Sequence, residues 1–271
     1  MSAKTRLEWL FGRRVARVVL AAPKANIIDR VMIEELAAIF DALESKRDLC
    51  SIVLASDGPH FSFGASVEEH QPEQIAEALP RLSNLLRRIA AAPAPPIAAV
   101  HGQCLGGGFE LVLACDLIIA EESAQLGVPE IRLGVFPPAA SALLPVRIGT
   151  APASLLVLTG RTWSGAEAKQ QGLVARAVAD GSVDTETHAW LESEFVLRSP
   201  VALRHAAQAI RRPIVRALRQ ELPQLDRIYL DDLMREPDAA EGIRAFLEKR
   251  EPRWATAGGQ AILPVETGTN P

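Results

Sequence analysis

The sequence predicts an α/β core followed by a mostly helical C-terminal third. Two patterns carry that expectation. Short apolar runs alternate with amphipathic helical segments up to about residue 120, and helical periodicity dominates from Ser141 onward. Such β-α-β alternation argues for parallel strands covered by helices. The chain has 271 residues, 48% hydrophobic and 23% charged, enough for one large domain or a core with a smaller appendage.

The elements follow in order. Residues 15–20 form a β-branched strand that runs into the breaker Ala21-Ala22-Pro23. Asp29 caps a helix over 30–46, with Ile33, Leu36, Ala37, Phe40 and Leu43 on one face. Residues 51–55 are an unbroken apolar run, hence a buried strand. A loop at 56–66 leads to a helix over 74–92, ended by Pro93, Pro95 and Pro96. Residues 97–100 form a strand, a glycine-rich turn follows, and a helix spans 107–114. Another strand covers 117–120. Helices are expected at 141–148, 151–158, 164–171, 186–198, 200–211, 214–234 and 237–250, interrupted by a strand at 174–178. We place the core domain over 1–195 and the helical region over 196–271, with a small polar tail after Trp254 expected to be loose. There is no internal repeat.

Composition narrows the function. The formal net charge of −4 is a poor match to a nucleic-acid binder, though a local basic patch would still serve a phosphorylated ligand. Cys50, Cys104 and Cys115 are odd in number and lack a CxxC pair, so neither a disulfide framework nor a zinc site is expected. Each reads as a small buried hydrophobe. Residues 1–9 lack the apolar stretch of a secretory signal, and no apolar run is long enough to span a bilayer. A cytoplasmic location is expected. No metal or redox cofactor is called for.

Three segments carry polar groups suited to chemistry. The first is His60-Phe61-Ser62-Phe63-Gly64-Ala65-Ser66. The second is His101-Gly102-Gln103-Cys104-Leu105-Gly106-Gly107-Gly108-Phe109-Glu110. The third is Val128-Pro129-Glu130-Ile131-Arg132-Leu133-Gly134. Three glycines at a helix start let backbone approach a ligand closely, and the free N–H groups there favour a polarised oxygen. Glu110 is the one charged residue in an otherwise apolar helix, aimed back toward Gly106 and Gly107. A buried carboxylate is costly unless used or satisfied. The alternative is a tight strand-to-helix turn whose glutamate pairs with an arginine elsewhere. Glu130 reads equally as a helix-start or solvated loop residue. His60 and His101 lack a metal-like partner at i+4 and suit structural roles. The glycines match neither a P-loop nor a dinucleotide fingerprint, and there is no G-x-S-x-G elbow.

The run from Pro96 to Gly102, then Leu105-Gly106-Gly107-Gly108-Phe109-Glu110-Leu111, Ala114-Cys115-Asp116 and Pro129-Glu130-Ile131-Arg132-Leu133-Gly134, resembles the enoyl-CoA hydratase/isomerase (crotonase) family. The resemblance runs from Pro23-Lys24-Ala25-Asn26 to Phe246-Leu247-Glu248-Lys249-Arg250. It implies a crotonase-like spiral of ββα units, with a helical C-terminal region that builds homotrimers or dimers of trimers. It also implies an acyl-CoA thioester substrate, so that coenzyme A is part of the substrate and not a separate cofactor. The N–H groups of Ala65 and Gly107 would form an oxyanion hole for the thioester carbonyl, each worth about 3 kcal/mol of barrier. Glu110 and Glu130 match the family's two hydratase carboxylates, one acting as base and one as acid. The thioester arm would run along the backbone of Lys24, Ala25 and Ile27 and of Phe63, Ala65 and Ser66, with Gly106 and Gly107 beside it. Phe246 and Lys249 would reach the adenine and phosphates of a neighbouring subunit. Their alternative reading is an amphipathic helix end with a favourable dipole charge.

Two departures stand out. Pro137-Pro138-Ala139-Ala140-Ser141 replaces a glycine-rich run, and Pro138 lacks a backbone donor. Phe63-Gly64-Ala65-Ser66 replaces a motif that ends in aspartate. Residues 61–70 and 134–141 resemble the subgroup hydrating cyclohexa-1,5-diene-1-carbonyl-CoA in aromatic degradation. There hydroxide would enter at the β carbon and the proton at the far end of the conjugated system. An isomerase or C–C lyase of the same family would share the oxyanion hole but need one carboxylate. A non-catalytic acyl-CoA- or RNA-binding relative is the reading from another class.

Overall fold

The computed structural model describes residues 3–22 and 24–255. Nine strands, β1 (Thr5–Leu10), β2 (Val15–Leu20), β3 (Ser51–Ser56), β4 (Pro96–Val100), β5 (Gln103–Leu105), β6 (Leu117–Glu121), β7 (Gln125–Gly127), β8 (Thr162–Ser164) and β9 (Arg176–Val178), make two sheets among the described residues. The larger sheet has the order β1-β2-β3-β4-β6-β9 and the smaller β5-β7-β8. β1 and β2 form an antiparallel hairpin, and every later pair of the large sheet is parallel. Val15 pairs with Ser51 and Leu20 with Ser56, so β2 and β3 match end to end.

Chemistry explains these choices. β3 and β4 are buried along their whole length, as strands covered on both faces must be. Each turn of chain then leaves the large sheet and adds a short piece to the small one: β4 leads to β5, and β6 to β7. One turn earlier, Ser62 bridges to Cys104 and Ala65 to Ile28, so residues 62–65 lie beside β5 as a further layer. The result is a spiral of ββα turns, as the resemblance implied.

Helix α1 (Arg30–Leu43) starts where expected, with the Asp29 carboxylate accepting the Met32 N–H at 3.0 Å. Helix α2 (Pro72–Ala90) ends before the proline cluster. Helix α3 (Gly106–Leu113) is buried on all sides. Then come α4 (Pro138–Ile148), α5 (Thr150–Thr159), α6 (Gly165–Gln170), α7 (Val183–Trp190), α8 (Pro200–Ile210), α9 (Arg212–Arg216), α10 (Leu222–Arg227) and α11 (Pro237–Leu247). The segment predicted as one helix over 214–234 is broken by two π-helical turns, Ala217–Glu221 and Ile228–Asp232. A third, Leu191–Phe195, extends α7.

Four strands escaped sequence reading. β1 alternates charged Arg6 and Glu8 with apolar residues and sits at the sheet edge. β5, β7 and β8 have three residues each, too few to show a period. From the helical region, Ile214, Ala217, Leu218 and Leu222 join the central hydrophobic cluster with β2, β3 and α3. Cys50, Cys104 and Cys115 are buried and unpaired. No helix among the described residues is long and apolar enough to cross a membrane. The tail expected to be loose falls, beyond Ala255, outside the described residues.

Candidate active site

A shelf, a glycine floor and two carboxyls make the site. The shelf is residues 61–66. Its placement depends on Asn26, which sequence reading did not single out as a support. This side chain is 1% exposed. Its Oδ1 accepts the Ala22 N–H at 3.0 Å, and its Nδ2 donates to the carbonyls of Asp57 and His60 at 2.9 and 3.0 Å. Ser62 Oγ donates to the Asn26 carbonyl at 2.7 Å and accepts the Gly64 N–H at 3.0 Å. The Phe63 N–H donates to the Ala25 carbonyl at 2.9 Å. These bonds tie the Asn26 loop to the shelf and leave the Ala65 N–H with no acceptor among the described residues.

The floor is the start of α3. At Gly107 a Cβ would fall 3.1 Å from the Ala65 Cβ and 3.2 Å from the Ala65 nitrogen. Only glycine allows that approach comfortably. At Gly106, with φ +49°, a Cβ would fall 2.6 Å from Glu130 Oε1. The first N–H groups of α3 have no intrahelical acceptor. Two backbone segments with free N–H groups therefore meet beneath the Glu130 carboxyl.

Glu110 is 4% exposed. It makes no ion pair among the described residues, so the arginine alternative falls away. Its Oε1 instead accepts the Ala140 N–H at 2.9 Å. The Pro138 loop therefore still presents a backbone donor, to Glu110. That proline is the first residue of α4, where an N–H would be unpaired in any case, and the next amides turn toward Glu110. Glu130 sits on a 3-10 turn, Pro129–Leu133, and its Oε2 is sealed and unpartnered among the described residues.

Burial pushes both carboxyls above the usual range. The Glu110 charge pushes Glu130 further, while the Ala140 N–H favours ionised Glu110. Asp226 on α10, hydrogen-bonded by Ser83 Oγ at 3.0 Å, adds repulsion on Glu110. Burial raises Asp226 itself to about 6.

A mostly apolar cavity of about 490 Å³ opens above this floor. Ile27, Phe63, Ala65, Ser66, Gly106, Glu130 and Phe246 line it. Glu110 and Gly107 are buried and do not contribute to that lining. Lys24 is exposed with φ +93°, and the Ala25 carbonyl is used by the shelf. Phe246 is 54% exposed at the rim, whereas Lys249 is exposed in the turn after α11 and is not among the lining residues. Ser66 Oγ donates to Glu68 at 2.8 Å, so an acidic group stands near the position where the motif lost its aspartate. His60 and His101 have structural partners: His60 Nδ1 accepts the Gln103 N–H at 3.2 Å, and His101 Nε2 lies 2.9 Å from the Gly58 carbonyl.

Spiral layers, a glycine floor and a pair of glutamates above it define a crotonase-type protein. Known proteins agree. The enoyl-CoA hydratase/isomerase family profile matches residues 11–257, and the chain belongs to that family. It is 42% identical over 238 residues to cyclohexa-1,5-dienecarbonyl-CoA hydratase of Thauera aromatica, covering 88% of this chain and 92% of that one. An enoyl-CoA hydratase structure from Bacillus anthracis aligns with a TM-score of 0.73 and 31% identity, covering 93% of this chain and 98% of that chain. One from Mycobacterium avium subsp. paratuberculosis K-10 aligns at 0.82 with 24% identity, covering 94% and 99%, which speaks to the fold.

Proposed function

We propose that this protein adds water to a conjugated enoyl- or dienoyl-CoA thioester, with cyclohexa-1,5-diene-1-carbonyl-CoA as the favoured substrate. The Glu110–Glu130 pair over the glycine floor, one carboxyl buried and the other half-buried on the cavity, carries the reading. Two like carboxyls in one apolar site cannot both ionise cheaply, so they share one proton. Glu110 has the Ala140 N–H and holds the charge; Glu130 holds the proton. Glu110 takes a proton from water, and the hydroxide forms a C–O bond at the β carbon. The electron pair moves into the thioester carbonyl, whose oxygen is held by the N–H groups of Ala65 and Gly107. Glu130 then gives its proton to carbon, at the far end of the conjugated system for the cyclic diene. No further cofactor enters this scheme.

The choice of a ring rests on the similarity to the Thauera aromatica hydratase and on the 61–70 and 134–141 loops. The thioester arm would follow Lys24, Ala25 and Ile27, of which Ile27 lines the cavity; Phe246 and Lys249 would reach the adenine and phosphates of the CoA on a neighbouring subunit. Exposed Leu158, Leu197, Val201 and Ile210 support burial in a homotrimer or a dimer of trimers. Three buried, unpaired thiols suit a reducing cytoplasm.

The test offers crotonyl-CoA and cyclohexa-1,5-diene-1-carbonyl-CoA side by side, following loss of conjugation and mass gain of one water. Faster turnover of the cyclic diene is the expected result. Fast crotonyl-CoA hydration alone would make this a general enoyl-CoA hydratase. Hydration of neither would overturn the reading.

A further inference from the structure

The carboxyl pair is not the whole polar interior. Among the described residues, three buried oxygens near the site lack a partner: Glu130 Oε2, Asp226 Oδ1 and the Tyr229 hydroxyl. Tyr229 is the chain's one tyrosine and is 1% exposed. It lies on the π-helical turn Ile228–Asp232, an irregularity that recurs at functional sites. Its ring stands edge-on to Phe136, with centroids 5.6 Å apart. It shares a hydrophobic cluster with Val135 and Ile243, which line the cavity. Phe136 leads directly into α4, whose Ala140 amide holds Glu110.

The phenol is therefore buried behind the wall of the cavity that Glu130 lines. Burial raises its ionisation well above the ordinary range, and the charges of Glu130 and then Glu110 raise it further. The charged groups that act on it are Glu130 on the 3-10 turn and Glu110 on α3; Asp226 on α10, beside Ser83 and Arg87 of α2, acts on Glu110. A neutral phenol donates one hydrogen bond, and a buried donor left idle is costly. Glu130 presents two different oxygens. Oε1 hangs over Gly106 at the cavity floor; Oε2 is sealed and idle.

We propose that Tyr229 is a positioning residue that donates its hydroxyl hydrogen to Glu130 Oε2 during hydration, so that the Glu130 proton sits on Oε1, facing the substrate. In this structure the two oxygens are both buried and without a partner among the described residues; the bond forms during hydration. The inference rests on the hydratase reading above. When Glu130 Oε1 gives up its proton to the substrate carbon, the new negative charge spreads onto Oε2. There the Tyr229 hydroxyl stabilises it as it forms. Tyr229 itself neither gains nor loses a proton. The proton that Glu110 took from water later returns to Glu130.

The experiment pairs Tyr229→Phe with a placement readout that needs no turnover. In the variant, kcat should fall roughly 10- to 100-fold, the loss of one hydrogen bond to a charged group, with KM nearly unchanged. The alkaline limb of the pH profile should move up, because ionised Glu130 has lost a donor. Separately, fluorotyrosine at this single position should give one fluorine resonance that steps with pH as the carboxyl pair titrates. That step should change in Glu130→Gln. A wild-type enzyme that hydrates, beside a Tyr229→Phe variant with unchanged kcat and limbs, overturns the proposal alone. A fluorine resonance blind to the pair overturns the placement. A wild type with no hydration of any enoyl-CoA overturns the function on which the proposal rests, whatever the resonance does.

Discussion

Glu110 and Glu130 differ in what touches them, and the proposed base and acid roles rest on that difference. One oxygen of Glu110 has a backbone donor; Glu130 has a sealed oxygen and a charged neighbour. A bell-shaped pH profile for kcat/KM follows, with both limbs above the ordinary glutamate range near ~4.3. Its two values belong to the pair and not to either residue. The same shift has a sign for stability. A carboxyl raised in the folded state favours folding at low pH, and that contribution is lost as pH rises through the folded value. Glu130→Gln should therefore melt above the wild type at about pH 8 and show little gain at about pH 4, by calorimetry. Glu110 and the glycines stood out in sequence because charge inside an apolar helix and three adjacent glycines are unusual; Glu130 stood out only through the family resemblance. The Ala140 amide and Tyr229 did not. A backbone donor leaves no side-chain signal, and Tyr229 is brought against Phe136 and the cavity wall by the fold alone.

Among the elements, α4 matters most to the chemistry. Its first turn begins with Pro138, and its Ala140 N–H meets Glu110. Ala140→Pro keeps a residue acceptable in a first helical turn but removes that donor. The acid limb should move up by about one pH unit, as expected for losing a bond of about 1.5 kcal/mol to a charged group. An unmoved limb would show that the amide does not serve Glu110. Gly107→Ala should act differently. The new methyl presses on Ala65, and kcat should fall about 10²-fold as one oxyanion donor is displaced. Parallel strands such as β3 and β4 were readable because burial on both faces makes them uniformly apolar. β5 and β7 were not, since three residues carry no period, yet they set the shelf beside the floor.

The molecule as a whole is held by a few long-range ties. Arg211, between α8 and α9, donates to the carbonyls of Ala90 and Ala92 at 3.1 and 2.8 Å and to Asp116 at 2.6 Å. It joins the helical region to the end of α2 and the start of β6. Arg211→Ala leaves a mostly covered carboxylate and two carbonyls without this partner. It should cost about 3–5 kcal/mol in denaturant unfolding. Light scattering should report a multiple of three chains for the wild type; a monomer would leave the exposed leucines of the helical region unexplained. The central claim is that two carboxyls, not one, perform the reaction. It is tested most directly by the hydration rate of Glu130→Gln on cyclohexa-1,5-diene-1-carbonyl-CoA beside the wild type. With the neutral acid removed, kcat should fall about 10²- to 10⁴-fold with little change in KM. A variant that keeps wild-type kcat would contradict the two-carboxyl account and favour an isomerase or lyase that works through Glu110.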